Sequence, residues 1–206
     1  MRLHRSAAAL ALVTGFALLG TACNNDPVAD GGDSPSGGAQ TPSKKPEPTA
    51  DRKLDADAGK TLELGGTTAL TYKRGSNSAI TMEVTAKSVR KGAQSDLDKV
   101  RLDAEERSLQ PYYVSFDFKN IGKSSLEYPS LTIPSRLRDS RGEEGKTAIT
   151  VRDDVKACPA NDVNTFAPGD SISQCAVFLL PKGEEPSVVL YRGDYDKEPV
   201  FWKAAG

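Results

Sequence analysis

Cysteine, histidine and paired acids are the side chains in this sequence with reactive chemistry to offer, and their spacing limits what they can do. The single histidine, His4, lies in a segment that reads as a removable leader, so the rest of the chain has none. That excludes Ser-His-Asp and Cys-His nucleophiles, histidine-held hydrolytic zinc and the usual protonation switch near neutral pH. Cys158 and Cys175 sit in one folded region, and an exported chain would pair them as a disulfide. The closed loop of about 18 residues would contribute ~3 kcal/mol by restricting the unfolded chain. No Cys-x-x-Cys spacing supports a redox pair. Adjacent acids occur at Glu105-Glu106, Glu143-Glu144, Asp153-Asp154 and Glu184-Glu185. On a strand, neighbours point to opposite faces, which suits solvated charge better than two carboxylates acting on one bond. A carboxylate-based hydrolase is therefore the remote alternative. Asp194-Tyr195-Asp196 offers oxygens to calcium but lacks an EF-hand spacing. Met82 is the one methionine beyond Met1, too few soft ligands for a copper carrier. No glycine-rich phosphate cradle precedes a helix. The expectation is no catalytic residue, no metal site and no cofactor.

Cys23 has a different role. Arg2, His4 and Arg5 begin the chain, and residues 6–19 form an apolar run of 14. That run is too short to span a bilayer, which takes roughly 20 residues. Small residues then lead to Leu19-Gly20-Thr21-Ala22-Cys23. The arrangement resembles the lipobox of bacterial lipoproteins, which implies a signal peptide over 1–22 and a diacylglycerol thioether on Cys23, with palmitate-type acyl chains as the anchor. Lipidation would also account for the odd cysteine. Gly20 and Ala22 equally satisfy an ordinary secretory cleavage site, which would leave Cys23 as a free thiol.

Residues 23–59 read as a linker. They are rich in Gly, Ser, Pro, Thr and charge and nearly devoid of apolar side chains, so they cannot offset the entropy of ordering. Some 36 flexible residues have an r.m.s. span of roughly 30–35 Å. Residues 60–206 are long enough for one domain with a real core. Loss of the leader removes Arg2 and Arg5 and no acid, leaving 25 basic against 28 acidic side chains. That balance gives no footprint for nucleic acid.

The hydrophobic period in this domain is two. Apolar and polar residues alternate over 80–87, and Tyr112, Val114, Phe116 and Phe118 share a face opposite Ser115, Asp117 and Lys119. Further strands are expected at 61–64, 68–72, 172–180, 187–191 and 199–203. Residues 131–139 and 147–151, flanking Ser140-Arg141-Gly142-Glu143-Glu144-Gly145, read as a hairpin. Residues 96–109 read as a short surface helix or ordered loop. Arg192-Gly193-Asp194 reads as the turn between the last two strands. Many short strands with Gly/Pro turns predict an all-β, immunoglobulin-like antiparallel β-sandwich.

The order of these segments carries a resemblance. Thr61-Leu62-Glu63-Leu64-Gly65 is followed by an alternating strand, Tyr112-Tyr113-Val114-Ser115-Phe116-Asp117-Phe118-Lys119-Asn120-Ile121-Gly122, Phe166-Ala167-Pro168-Gly169-Asp170 and Phe178-Leu179-Leu180-Pro181. This resembles the DUF4352 or telokin-like immunoglobulin-like domains of Gram-positive lipoproteins. The resemblance implies a sandwich on a lipid tether at the extracytoplasmic face of the cell membrane, and transfers no site residue. Tyr191, Tyr195, Phe201 and Trp202 cluster near the C-terminus and read as a possible binding surface, with some of them core. The expected function is non-enzymatic binding of a protein, peptide or envelope component, with sheet edges suited to strand pairing. The alternative is a structural or sensory accessory subunit of a membrane complex.

Overall fold

In the computed structural model, residues 53–74, 79–152 and 154–204 are described. Eleven strands follow in chain order: β1 (Thr61–Glu63), β2 (Thr67–Tyr72), β3 (Ile80–Lys91), β4 (Gln110–Asn120), β5 (Leu126–Glu127), β6 (Ser135–Asp139), β7 (Lys146–Ala148), β8 (Thr165–Phe166), β9 (Ser171–Leu180), β10 (Pro186–Tyr191) and β11 (Val200–Lys203). They build a five-stranded sheet, β2-β3-β4-β9-β7, a four-stranded sheet, β1-β11-β10-β6, and a small β5-β8 pair. All pairings are antiparallel except β1 with β11. No helix among the described residues is long and apolar enough to cross a membrane.

The alternation read from the sequence is what joins the two sheets. Met82, Val84, Tyr112, Val114, Phe116 and Phe118 point inward from the five-stranded sheet. They meet Leu137, Val189, Tyr191 and Trp202 from the four-stranded sheet in one core. The Phe118 and Tyr191 rings lie 5.7 Å apart, tilted by 48°. Such pairs add to the area they bury. Polar tips of core aromatics find backbone acceptors. The Tyr191 hydroxyl donates to Leu131 O at 2.8 Å, and Trp202 Nε1 donates to Gly66 O at 2.7 Å.

Asn120 explains the turn after β4. It is fully buried, its amide donates to Ser124 O and Phe166 O, and its side-chain oxygen accepts from Gly122 N. One side chain thus ties the turn to β8.

Two expectations are corrected. The expected hairpin of residues 131–139 with 147–151 does not form, because β6 joins the four-stranded sheet and β7 the five-stranded one; the turn at 140–145 closes only a short antiparallel bridge, Arg138 with Glu144. The chain crosses between sheets at Gly145, where a Cβ would lie 2.5 Å from Leu180 Cδ2 and 3.0 Å from Leu179 O. Buried Asp139 fixes the preceding turn. Its carboxylate accepts from Arg141 N and Glu143 N and pairs with Arg141 Nη2 at 2.8 Å. Of the two readings of residues 96–109, short surface helix or ordered loop, the ordered loop holds, with single 3-10 turns at Gln94–Leu97 and Glu106–Ser108. Residues 53–59, read as the end of the linker, make defined hydrogen bonds to the domain. Asp55 N donates to Ala69 O, Asp55 accepts from the Thr71 backbone N–H and hydroxyl, and Gly59 N donates to Pro199 O.

A second, smaller core lies on the outer face of the five-stranded sheet. Tyr113, Val177, Leu179 and Ala148 point outward there and are covered by Leu97, Val100, Val155 and Cys158. The Cys158–Cys175 disulfide, with Cα atoms 5.3 Å apart, staples the covering loop to β9. Arg90 holds the same loop, donating from Nη2 to Ala157 O at 2.9 Å.

Candidate functional site

The cysteine pairing stands as expected; Cys23 lies outside the described residues. The four C-terminal aromatics separate by parity. Tyr191 and Trp202 are 0% exposed and belong to the core, so they are removed from the binding surface. Tyr195 is 59% exposed, and Phe201, one residue from Trp202 on β11, points to the opposite, outer face.

That outer face gains its character from register. Arg136 pairs across β6 and β10 with Leu190, which pairs across β10 and β11 with Phe201. Arg138 pairs with Val188, which pairs with Lys203. Arg136 and Arg138 are two apart on β6 and so share a face. Arg192, just after β10, brings a third guanidinium to the same cavity of about 210 Å³, which Pro134, Leu190 and Tyr195 also line.

The three arginines are held differently. Arg136 Nη1 donates to Ile133 O at 2.9 Å and Ser135 O at 2.7 Å. Arg138 lies over the Phe201 ring at 6.0 Å and pairs with Glu144 through Nη2 at 3.2 Å. Glu144 also approaches Arg136 Nε at 3.8 Å. Arg192 has no acidic partner among the described residues, and its Nε and that of Arg138 are buried without an acceptor. The other acids nearby are engaged elsewhere. Asp194 accepts from Asp196 N, and Asp196 pairs with Lys73.

Sequence reasoning missed this cluster. The Arg136-Leu137-Arg138 alternation signalled two cations on one face. Nothing local signalled Arg192, which arrives just after β10, far along the chain from β6.

Three stretches of sheet edge, along β2, β6 and β9, are covered. Residues 53–59 lie along β2 through the Asp55 bonds. The turn at 140–145 folds back along β6, with Gly145 N donating to Leu137 O and Asp139 N to Glu143 O. On β9, the disulfide-held loop places Asn161 against Ser173 O and the Gln174 side chain. Proteins blunt edges in this way against unwanted strand addition.

The paired acids serve structure. Glu105 pairs with Lys146 at 3.0 Å, Glu106 and Asp103 cap each other's backbone, and Asp154 accepts from Val151 N. Glu184 accepts from the Ser140 hydroxyl, and Glu185 from the Tyr112 hydroxyl. Asp153 lies outside the described residues. Arg192-Gly193-Asp194 lies in the connection between β10 and β11 but is not itself the turn: it runs beside the end of β2, with Lys73 N donating to Gly193 O, and the turn closes over Asp194–Lys197. A Cβ on Gly193 would sit 2.7 Å from Thr71 O. Among the described residues no three His, Cys, Asp or Glu side chains are grouped to hold a metal ion. One further cavity, about 350 Å³ on the outer face of the five-stranded sheet, brings Glu83 and Asp117 to one lining with Lys119, Thr85 and Ser173. Both oxygens of Asp117 are engaged, one by Lys87 Nζ at 3.0 Å and one by the Ser173 hydroxyl.

No family model matches the chain, and no curated protein matches it. Among solved structures the chain is similar to a β-sandwich protein of Clostridium difficile 630, at 13% identity and a TM-score of 0.43, over 77% of this chain and 99% of that one. It is similar to YjhA of Bacillus subtilis, at 16% identity and a TM-score of 0.42, over 68% and 97%. It is also similar to the lipoprotein candidate YcdA of Bacillus subtilis, at 19% identity and a TM-score of 0.43, over 61% of this chain and 36% of that one. The chain thus spans little more than a third of YcdA. No site residue is carried over from any of these proteins.

Proposed function

We propose that this chain is a lipid-anchored, non-enzymatic binding domain of the DUF4352 or telokin-like kind, held at the extracytoplasmic face of the cell membrane through Cys23. Its partner is a protein, peptide or envelope component bearing negative charge. The observation that supports this reading is the outer face of the four-stranded sheet, where three guanidiniums lie near two partly exposed aromatic side chains, Tyr195 and Phe201. Arginine and aromatic side chains grouped on one face are the composition of recognition hot spots. A hydrolase fits less well, since Asp117 is tied on both oxygens and the domain has no histidine.

Crosslinking on intact cells followed by mass spectrometry tests the reading. The wild-type chain should yield a partner that a chain carrying Arg136→Glu and Arg192→Glu loses. An identical set of crosslinks from both chains counts against this face. Cys23→Ser should move the protein from the membrane fraction to the medium; full membrane retention counts against the anchor.

A further inference from the structure

We infer that the cavity between Arg136, Arg138 and Arg192 binds a phosphate group. This rests on the reading of this face as the partner-binding surface and names the chemistry recognised there. Three guanidiniums line the cavity and Glu144 is the one acid among its lining residues, which leaves two positive charges in excess. A second carboxylate neutralises one of them; a phosphate dianion matches both. Arginine forks present paired N–H donors at the spacing of phosphate oxygens.

The cluster is partly organised in advance. Backbone carbonyls of Ile133 and Ser135 hold Arg136, and the Phe201 ring supports Arg138. Fixing donors before binding lowers the entropy lost on binding. Pro134, Leu190 and Tyr195 wall the cavity, and a walled cleft of net positive charge concentrates anions. Arg192 is the free member, with no acidic partner among the described residues and a buried Nε that lacks an acceptor. Glu144 competes for Arg138, so it limits affinity. The phosphate could be a soluble or polymer-borne ester or a lipid headgroup; the shared chemistry is the oxyanion.

The test uses the mature chain from residue 23 with Cys23→Ser, so that no acyl chain drives association. Calorimetric titration with inorganic phosphate at constant ionic strength should show saturable binding. Arg192→Ala should weaken it about tenfold or more, Arg192→Lys should restore it only in part, and Glu144→Gln should tighten it. Acetate should not compete at equal concentration. Absence of saturable binding overturns the inference, as does equal affinity in an Arg192→Ala chain with an unchanged melting temperature. Acetate binding as tightly as phosphate also overturns it, in favour of acidic peptides. Vesicles of phosphatidylcholine with and without phosphatidylglycerol separate the sources. Binding only to the anionic vesicles, released by free phosphate, supports a headgroup; phosphate binding without vesicle binding supports an ester. If the glutamate variants lose their cellular crosslinks while phosphate does not bind, this inference fails and the binding face stands.

Discussion

The two outer faces of the sandwich are finished in opposite ways. The five-stranded sheet carries Tyr113, Val177 and Leu179 outward, and the chain covers them with Leu97, Val100 and a disulfide-held loop. The four-stranded sheet carries Arg136, Arg138, Phe201 and Lys203 outward, and no second core covers them among the described residues. Apolar side chains on an outer face require a cover, and the long β3–β4 and β7–β8 connections supply it. Cations and a half-exposed ring need no cover, and they leave a surface for a partner. The contrast puts a stabilising cover on one side and the proposed binding face on the other.

The sharpest probe of that division compares neighbours on β11. Trp202→Ala removes a fully buried ring and its hydrogen bond to Gly66 O, and should lower stability by ~3–5 kcal/mol. Phe201→Ala, one residue away on the open face, should cost only about 1 kcal/mol. Chemical denaturation of both variants measures the difference. Equal losses would mean that the outer face is a structural surface as well.

The disulfide comes next. Reduction should destabilise the domain by ~3 kcal/mol, the value for a loop of this length, which corresponds to a fall in melting temperature on the order of 10 °C. It should also loosen Asn161 from Ser173 O and open that part of the β9 edge. Faster hydrogen exchange confined to the covering loop and β9 is the expected signature. An unchanged melting temperature would show that the second core needs no staple.

The strands were legible in the sequence because alternation reports the half-buried state directly; residues 80–87 and 112–119 left little choice. Strand partners were not legible. Ser140-Arg141-Gly142-Glu143-Glu144-Gly145 turns the chain locally, but which sheet the residues after it join is set by β9, far along the chain, which pairs with β7. Parity showed that Phe201 and Trp202 face opposite ways, but not which way was in. That is set by β1 and β10 on either side. The second core was hidden because Leu97, Val100 and Val155 are isolated apolar residues among charged ones. Arg192 was hidden because its convergence with Arg136 is a consequence of register.

Alkaline pH sets both sides of the five-stranded sheet against the open face. Burial pushes the Tyr112 hydroxyl up to about 12, with its hydrogen bond to Glu185 adding to the effect. Burial and then Asp96 raise Tyr113, and burial raises Tyr191. The folded state therefore holds these protons more tightly than the unfolded chain, where tyrosine titrates near ~10. Their contribution is fully present below pH ~10 and is lost as pH rises toward the folded values. Denaturation midpoints should fall steeply above pH ~10, and Tyr113→Phe should flatten that fall. A midpoint independent of pH over this range would contradict the burial of these hydroxyls.

The smallest expected effect on stability is the most informative about the open face. Arg192 makes no side-chain bond to the described residues, so Arg192→Ala should change unfolding free energy by no more than ~0.5 kcal/mol. Removing one of three like charges from a shared cavity relieves repulsion, which sets the sign toward stabilisation. Arg136→Ala differs, because Arg136 binds two backbone carbonyls at the entry to β6 and should destabilise by about 1–2 kcal/mol. Denaturant titrations of the two variants at low and high salt separate these roles. Arg192→Ala should gain most at low salt, where repulsion is least screened. A loss at Arg192 comparable to that at Arg136 would mean that Arg192 serves the fold, and the open face would lose its one unengaged cation.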